Sequence, residues 1–77
     1  MPIITIILNK FIEFGQIKNG EVLRMKNFRN IFDEYPSITM KEFYGGIDKL
    51  VLEGFLIKKS IDVFEVTDLG EQLFQKM

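Results

Sequence analysis

Apolar residues along this chain recur at two different spacings, and the switches between them divide it into elements. In residues 3–14 the apolar positions are Ile3, Ile4, Ile7, Leu8, Phe11, Ile12 and Phe14. Steps of three and four predict a helix with a broad buried face. Pro2 suits a first helical turn and Gly15 a helix stop. Asn19-Gly20 is a turn signal, with room beside it for a short strand. Val22, Met25, Phe28, Ile31 or Phe32, and Tyr35 then predict a second helix over about 23–34. It must end before Pro36, because a residue preceding proline avoids helical geometry. Thr39 and Glu42 form a T-x-x-E capping box. Behind it, Met40, Phe43, Ile47, Leu50, Val51 and Gly54 share a face, which predicts a third helix over 39–53.

After Gly54 the pattern changes to that of strands. Phe55–Lys59 and Asp62–Val66 predict a hairpin closed at Ser60-Ile61, with Phe64 and Val66 facing away from Glu65. Thr67 or Asp68 caps a last helix whose apolar stripe is Leu69, Leu73 and Phe74, extended by Met77. Only Tyr35-Pro36-Ser37-Ile38 separates the second and third helices, a helix-turn-helix spacing. The expected fold is therefore α+β and mainly α. It is a winged helix-turn-helix of three core helices, a two-stranded β-hairpin wing and a C-terminal helix, as one domain over residues 1–77.

Composition narrows the function classes. The chain has 77 residues, 47% of them hydrophobic and eight of them Phe, an apolar content that favours self-association. Cysteine and histidine are absent, which removes disulfides, thiolate nucleophiles, Cys/His zinc sites and the commonest general base. No carboxylate pair stands out, so no catalytic role, cofactor or metal is expected. The N-terminal apolar run is too short to span a membrane and lacks signal-peptide flanks, which points to the cytoplasm. The net charge is −1, far from a strongly basic nucleic-acid binder, so binding would depend on local charge. Residues 16–29 carry Lys18, Arg24, Lys26 and Arg29 against Glu21. Residues 33–53 carry Asp33, Glu34, Glu42, Asp48 and Glu53 against Lys41 and Lys49. Positive charge thus gathers toward the second helix and the hairpin.

Two stretches resemble the winged-helix regulators of the MarR and PadR type. Ile47-Asp48-Lys49-Leu50-Val51-Leu52-Glu53-Gly54-Phe55-Leu56-Ile57 looks like that family's passage from recognition helix to wing. Val66-Thr67-Asp68-Leu69-Gly70 looks like its Leu-Thr-x-x-Gly exit from the wing. The resemblance covers about half the chain. It departs at Gly45, where family members often carry Arg, at the short hairpin, and in the missing extra terminal helices through which MarR proteins dimerise.

The resemblance implies a DNA-binding regulator, probing double-stranded DNA as a dimer with helix 39–53 in the major groove. By position, Ser37, Thr39, Lys41, Tyr44, Gly45, Asp48 and Lys49 would face DNA, with Lys58 and Lys59 on the wing and Lys26 and Arg29 on phosphates. For each of these a solvated surface residue is the plain alternative. Gly46 reads as a small residue that lets the second helix pack closely, or as a point of close approach to DNA. The first and last helices are the expected dimer seam. The competing function is a protein-interaction module, favoured by the acidic third helix.

Overall fold

The computed structural model describes residues 2–77. Its elements are helix α1 (Ile3–Glu13), strand β1 (Val22–Arg24), a 3-10 turn (Met25–Phe28), and helices α2 (Asn30–Glu34) and α3 (Met40–Leu52). Strands β2 (Leu56–Ser60) and β3 (Val63–Val66) and helix α4 (Asp68–Lys76) complete the chain. The protein is α+β and mainly helical, with one antiparallel three-stranded sheet ordered β1-β3-β2.

Capping sets the helix boundaries much as the residues foretell. The Thr39 hydroxyl accepts the Glu42 amide at 3.1 Å, and the Glu42 carboxylate accepts the Thr39 amide at 3.3 Å. Two otherwise unpaired amides are satisfied at the start of α3. Gly15 and Gly54 follow α1 and α3 with φ of +72° and +88°, where a Cβ would be strained. Of the two expected caps for α4, Thr67 takes the role, accepting the Gly70 amide at 3.0 Å.

The single helix expected over 23–34 is not formed. Its place is taken by β1, the 3-10 turn and the five-residue α2. The spacing that suggested it holds the reason. Met25, Phe28 and Ile31 are three apart, which is the 3-10 period rather than the α period. The Asn27 side chain accepts the Arg24 amide at 2.9 Å and so starts the turn there. Upstream, Val22 is β-branched, and β1 pairs with β3 in the register Val22–Glu65, Leu23–Phe64 and Arg24–Val63. The short strand foreseen beside Asn19-Gly20 is thus real, and it makes the expected two-stranded hairpin part of a three-stranded sheet.

Phenylalanines tie the layers together. Phe28, fully buried on the 3-10 turn, lies 5.7 Å from Phe11 of α1, 5.2 Å from Phe43 of α3 and 5.9 Å from Phe64 of β3. Phe74 of α4 joins at 6.0 Å from Phe11. These tilted and edge-on rings add to the burial energy of the side chains themselves. One residue therefore fixes how α3 stands against the sheet. Leu69, expected in the core, is instead half exposed above Gly54. Gly46 is buried, but its neighbour is α1 and not the second helix. A Cβ there would lie 2.8 Å from Ile7 Cδ1 and 3.3 Å from Ile3 Cγ1.

Candidate nucleic-acid interface

The outward stripe of α3 consists of Lys41, Gly45, Asp48 and Leu52, which are four, three and four residues apart and all exposed. Its sequence is a cation, an empty position, a carboxylate and an apolar side chain. At Gly45 an added Cβ would meet nothing within 4 Å. Leu52 is 87% exposed. The stripe by itself carries no excess of positive charge.

That charge comes from the neighbouring hairpin. Tyr44, half-buried beside the stripe, sets its ring edge-on to Phe43 at 5.5 Å. Lys58 of β2 places its ammonium 5.9 Å from the centroid of the Tyr44 ring. At this distance the ring quadrupole attracts the cation weakly while leaving it solvated. The contact brings together a hairpin residue and a helix residue that are 14 positions apart. Lys49 is on the other flank of α3. Five residues on from Tyr44, it is turned about 140° around the helix axis. Tyr44 and Lys58 therefore stand on one flank of the Lys41–Gly45 stripe and Lys49 on the other, about 40° around the axis from Gly45.

The remaining candidates fall into three places. Ser37 is exposed in the turn between α2 and α3. The Thr39 hydroxyl, by contrast, is engaged with the amide and carboxylate of Glu42, so its chemistry is that of a cap. Arg29 is exposed at the start of α2, and Lys26 is exposed on the 3-10 turn. The Met25 amide donates to the Asp62 carbonyl at 2.8 Å, which holds that turn against the hairpin tip. Lys59 turns to the opposite face of the sheet from Lys58 and pairs with Glu65 at 3.8 Å. Among the described residues, Lys26, Arg29, Lys41, Lys49 and Lys58 have no ion-pair partner.

Arg24, counted above in the basic stretch 16–29 but not among the contact residues, belongs with these cations. Pairing of β1 with β3 places it opposite Val63, one residue from the hairpin turn, and it is exposed. Once the expected short strand is placed at Val22–Arg24, the alternation of its residues, with Leu23 buried, signals the outward direction of Arg24.

Among the described residues, the one shifted titration is elsewhere. Lys10 is 4% exposed, with its ammonium 3.2 Å from Glu13 and 3.4 Å from Glu34. Burial alone would lower its pKa, but the hydrogen bonds and charges of the two carboxylates outweigh burial and raise it. This group fastens α1 to α2. Among the described residues there is no enclosed pocket and no cluster of three acidic groups able to hold a metal. Among the described residues no helix is long and apolar enough to cross a membrane. Comparisons with protein families, curated proteins and solved structures find no match to this chain.

Proposed function

We propose that this chain is a winged helix-turn-helix transcriptional regulator of the MarR and PadR type, acting on double-stranded DNA in the cytoplasm as a homodimer. In this reading α3 enters the major groove and the β2–β3 hairpin is the wing. The observation that carries it is the Lys58–Tyr44 contact, which joins hairpin and α3 into one surface bearing unpaired cations. The element order and the sheet order β1-β3-β2 support it further, since the sheet then covers the apolar faces of the helices and leaves one face of α3 bare. The two stretches that carry the family likeness also touch. The Thr67 hydroxyl donates to the Gly54 carbonyl, and the Thr67 amide donates to that of Phe55 at 3.2 Å.

Lys41, Tyr44 and Gly45 would meet base edges, with Ser37, Lys26, Arg29, Lys49, Lys58 and Lys59 on phosphates. Thr39 would act only by fixing the start of α3. The test is fluorescence anisotropy of a labelled random-sequence duplex from low to physiological salt. A linear loss of affinity on a log-log plot is expected. The double variant Lys58→Glu/Lys59→Glu should weaken binding at every sequence, and unchanged affinity would remove the hairpin from the interface.

One observation favours a second reading. Leu52 is 87% exposed at the end of an α3 surrounded by Asp48 and Glu53, an arrangement suited to a protein partner. A stoichiometric protein recovered with the chain, and no duplex binding at low salt, would establish that alternative.

A further inference from the structure

The hairpin ends in an exposed aliphatic residue. Ile61 is 78% exposed at the turn between β2 and β3, where a polar residue or glycine is usual. It lies outside the buried core, which Phe64 closes on the helix side of the sheet. Cations stand on both flanks of this apex. On the α3 side is Lys58, beside Tyr44. On the outer side are Lys59, paired with the largely covered Glu65, and Arg24, held opposite Val63 by the β1–β3 register. Lys26 is added at the same end of the sheet by the Met25–Asp62 hydrogen bond. The Ser60 hydroxyl donates to the Asp62 carboxylate at 2.9 Å, tying that carboxylate into the turn.

Resting on the DNA-binding reading above, we infer that the hairpin tip is a minor-groove wedge with Ile61 as its apolar apex. The minor groove is about 6 Å wide, enough for one aliphatic side chain carried on a turn. Phosphates of the two strands line its two edges. A tip with lysine on one flank and lysine plus arginine on the other meets both strands at once. Aliphatic side chains that enter this groove partly unstack a base step and bend the duplex toward the major groove. The inference adds Arg24 and Ile61 to the contact surface and adds a mechanical effect on the DNA.

The experiment is energy transfer between dyes on the two ends of a mixed-sequence duplex, titrated with wild type, Ile61→Ser, Ile61→Leu and Arg24→Gln. Ile61 is too exposed for these changes to unfold the chain, and circular dichroism checks that. Wild type should bring the ends closer. Ile61→Ser should abolish most of that change and weaken binding about tenfold, the worth of one buried aliphatic side chain. Ile61→Leu should restore both. Arg24→Gln should reduce the slope of log K against log salt by about one. If wild type binds without bending, or Ile61→Ser binds and bends as wild type does, the wedge is wrong while DNA binding stands. If wild type binds no duplex at low salt, the functional reading fails and the wedge with it. Co-sedimentation with anionic phosphatidylserine vesicles that depends on Ile61, without an Ile61 effect on DNA, would assign the apex to a lipid surface and overturn the inference.

Discussion

Alanine at Gly45 should stabilise the chain and alanine at Gly46 should not, although the two positions are adjacent in one helix. Each glycine lies inside α3, and neither has a positive φ. Replacing glycine by alanine in a helix interior gains about 1 kcal/mol. At Gly45 nothing opposes that gain, because the added methyl would meet no atom within 4 Å. At Gly46 it would lie 2.8 Å from Ile7 Cδ1 and 3.3 Å from Ile3 Cγ1. Ile7 is fully buried, so its methyl cannot swing aside into solvent. Relieving the clash requires α1 to move or Ile7 to leave its rotamer, at about 1–3 kcal/mol. Gly46→Ala should therefore be neutral to destabilising by about 2 kcal/mol, after its helical gain is subtracted. Gly46→Leu should be far worse and leave little folded protein, since a chain this small holds only about 4–12 kcal/mol. Thermal melts by circular dichroism read the difference, at roughly 4–8 °C per kcal/mol for a domain of this size. Gly45→Ala should melt several degrees above wild type and Gly46→Ala at or below it. Equal stabilisation by both would refute the close approach of α1 and α3. A lower melting temperature for Gly45→Ala would refute the open surface assigned to that face.

Gly70→Ala should destabilise by about 2 kcal/mol or more, because its Cβ would collide with the Phe55 carbonyl oxygen and lie 3.1 Å from Val66 Cγ1; urea unfolding measures it. Thr67→Val should cost about 1–2 kcal/mol through loss of the cap on Gly70 and of the bond to Gly54, while Thr67→Ser, which keeps both, should unfold close to wild type. Lys10→Met should change stability at neutral pH by less than about 1 kcal/mol, since its stem stays packed and the two glutamates are half or more solvated. The raised Lys10 pKa gives a pH signature. Its contribution is complete below the ordinary lysine value of 10.5 and is lost as pH rises through the higher folded value. Wild type should lose stability relative to Lys10→Met only above about pH 10.5, and a relative loss below pH 9 would contradict the pairing.

Where local chemistry decides the structure, the residues announce it. The Thr39–Glu42 box, Gly15, Gly54 and the Phe55–Val66 alternation depend on neighbours within a few positions, and each has its expected place. What was hidden depends on residues far apart in sequence. β1 exists because Leu23 can pair with Phe64, 41 positions away, and nothing between 16 and 24 reports that partner. A short strand is expected beside Asn19-Gly20, but with its partner hidden Arg24 could not be placed beside the hairpin. The three-and-four pattern of α1 omits Ile6 and so gives no sign of what becomes of Lys10. Ile6 and Lys10 are four apart and both buried, and Glu34 on α2 is what covers that side. Gly70 follows the same rule: its reason is the backbone of Phe55, which only the folded chain brings to it. Of the candidate site, Lys41, Tyr44, Gly45 and Lys58 share a surface as their positions on helix and hairpin suggested. Thr39 is spent as a cap.

The most direct test of the functional account is a residue-resolved one. The 15N-labelled chain would be titrated with a short random-sequence duplex at low salt, and amide resonances followed by NMR. Shifts are predicted at Lys41, Tyr44, Gly45, Lys58 and Lys59, with the exposed ends of α1 and α4 at Phe14 and Met77 unmoved. Shifts confined to those helix ends, or none at all, would contradict the assignment of α3 and the hairpin as a nucleic-acid surface.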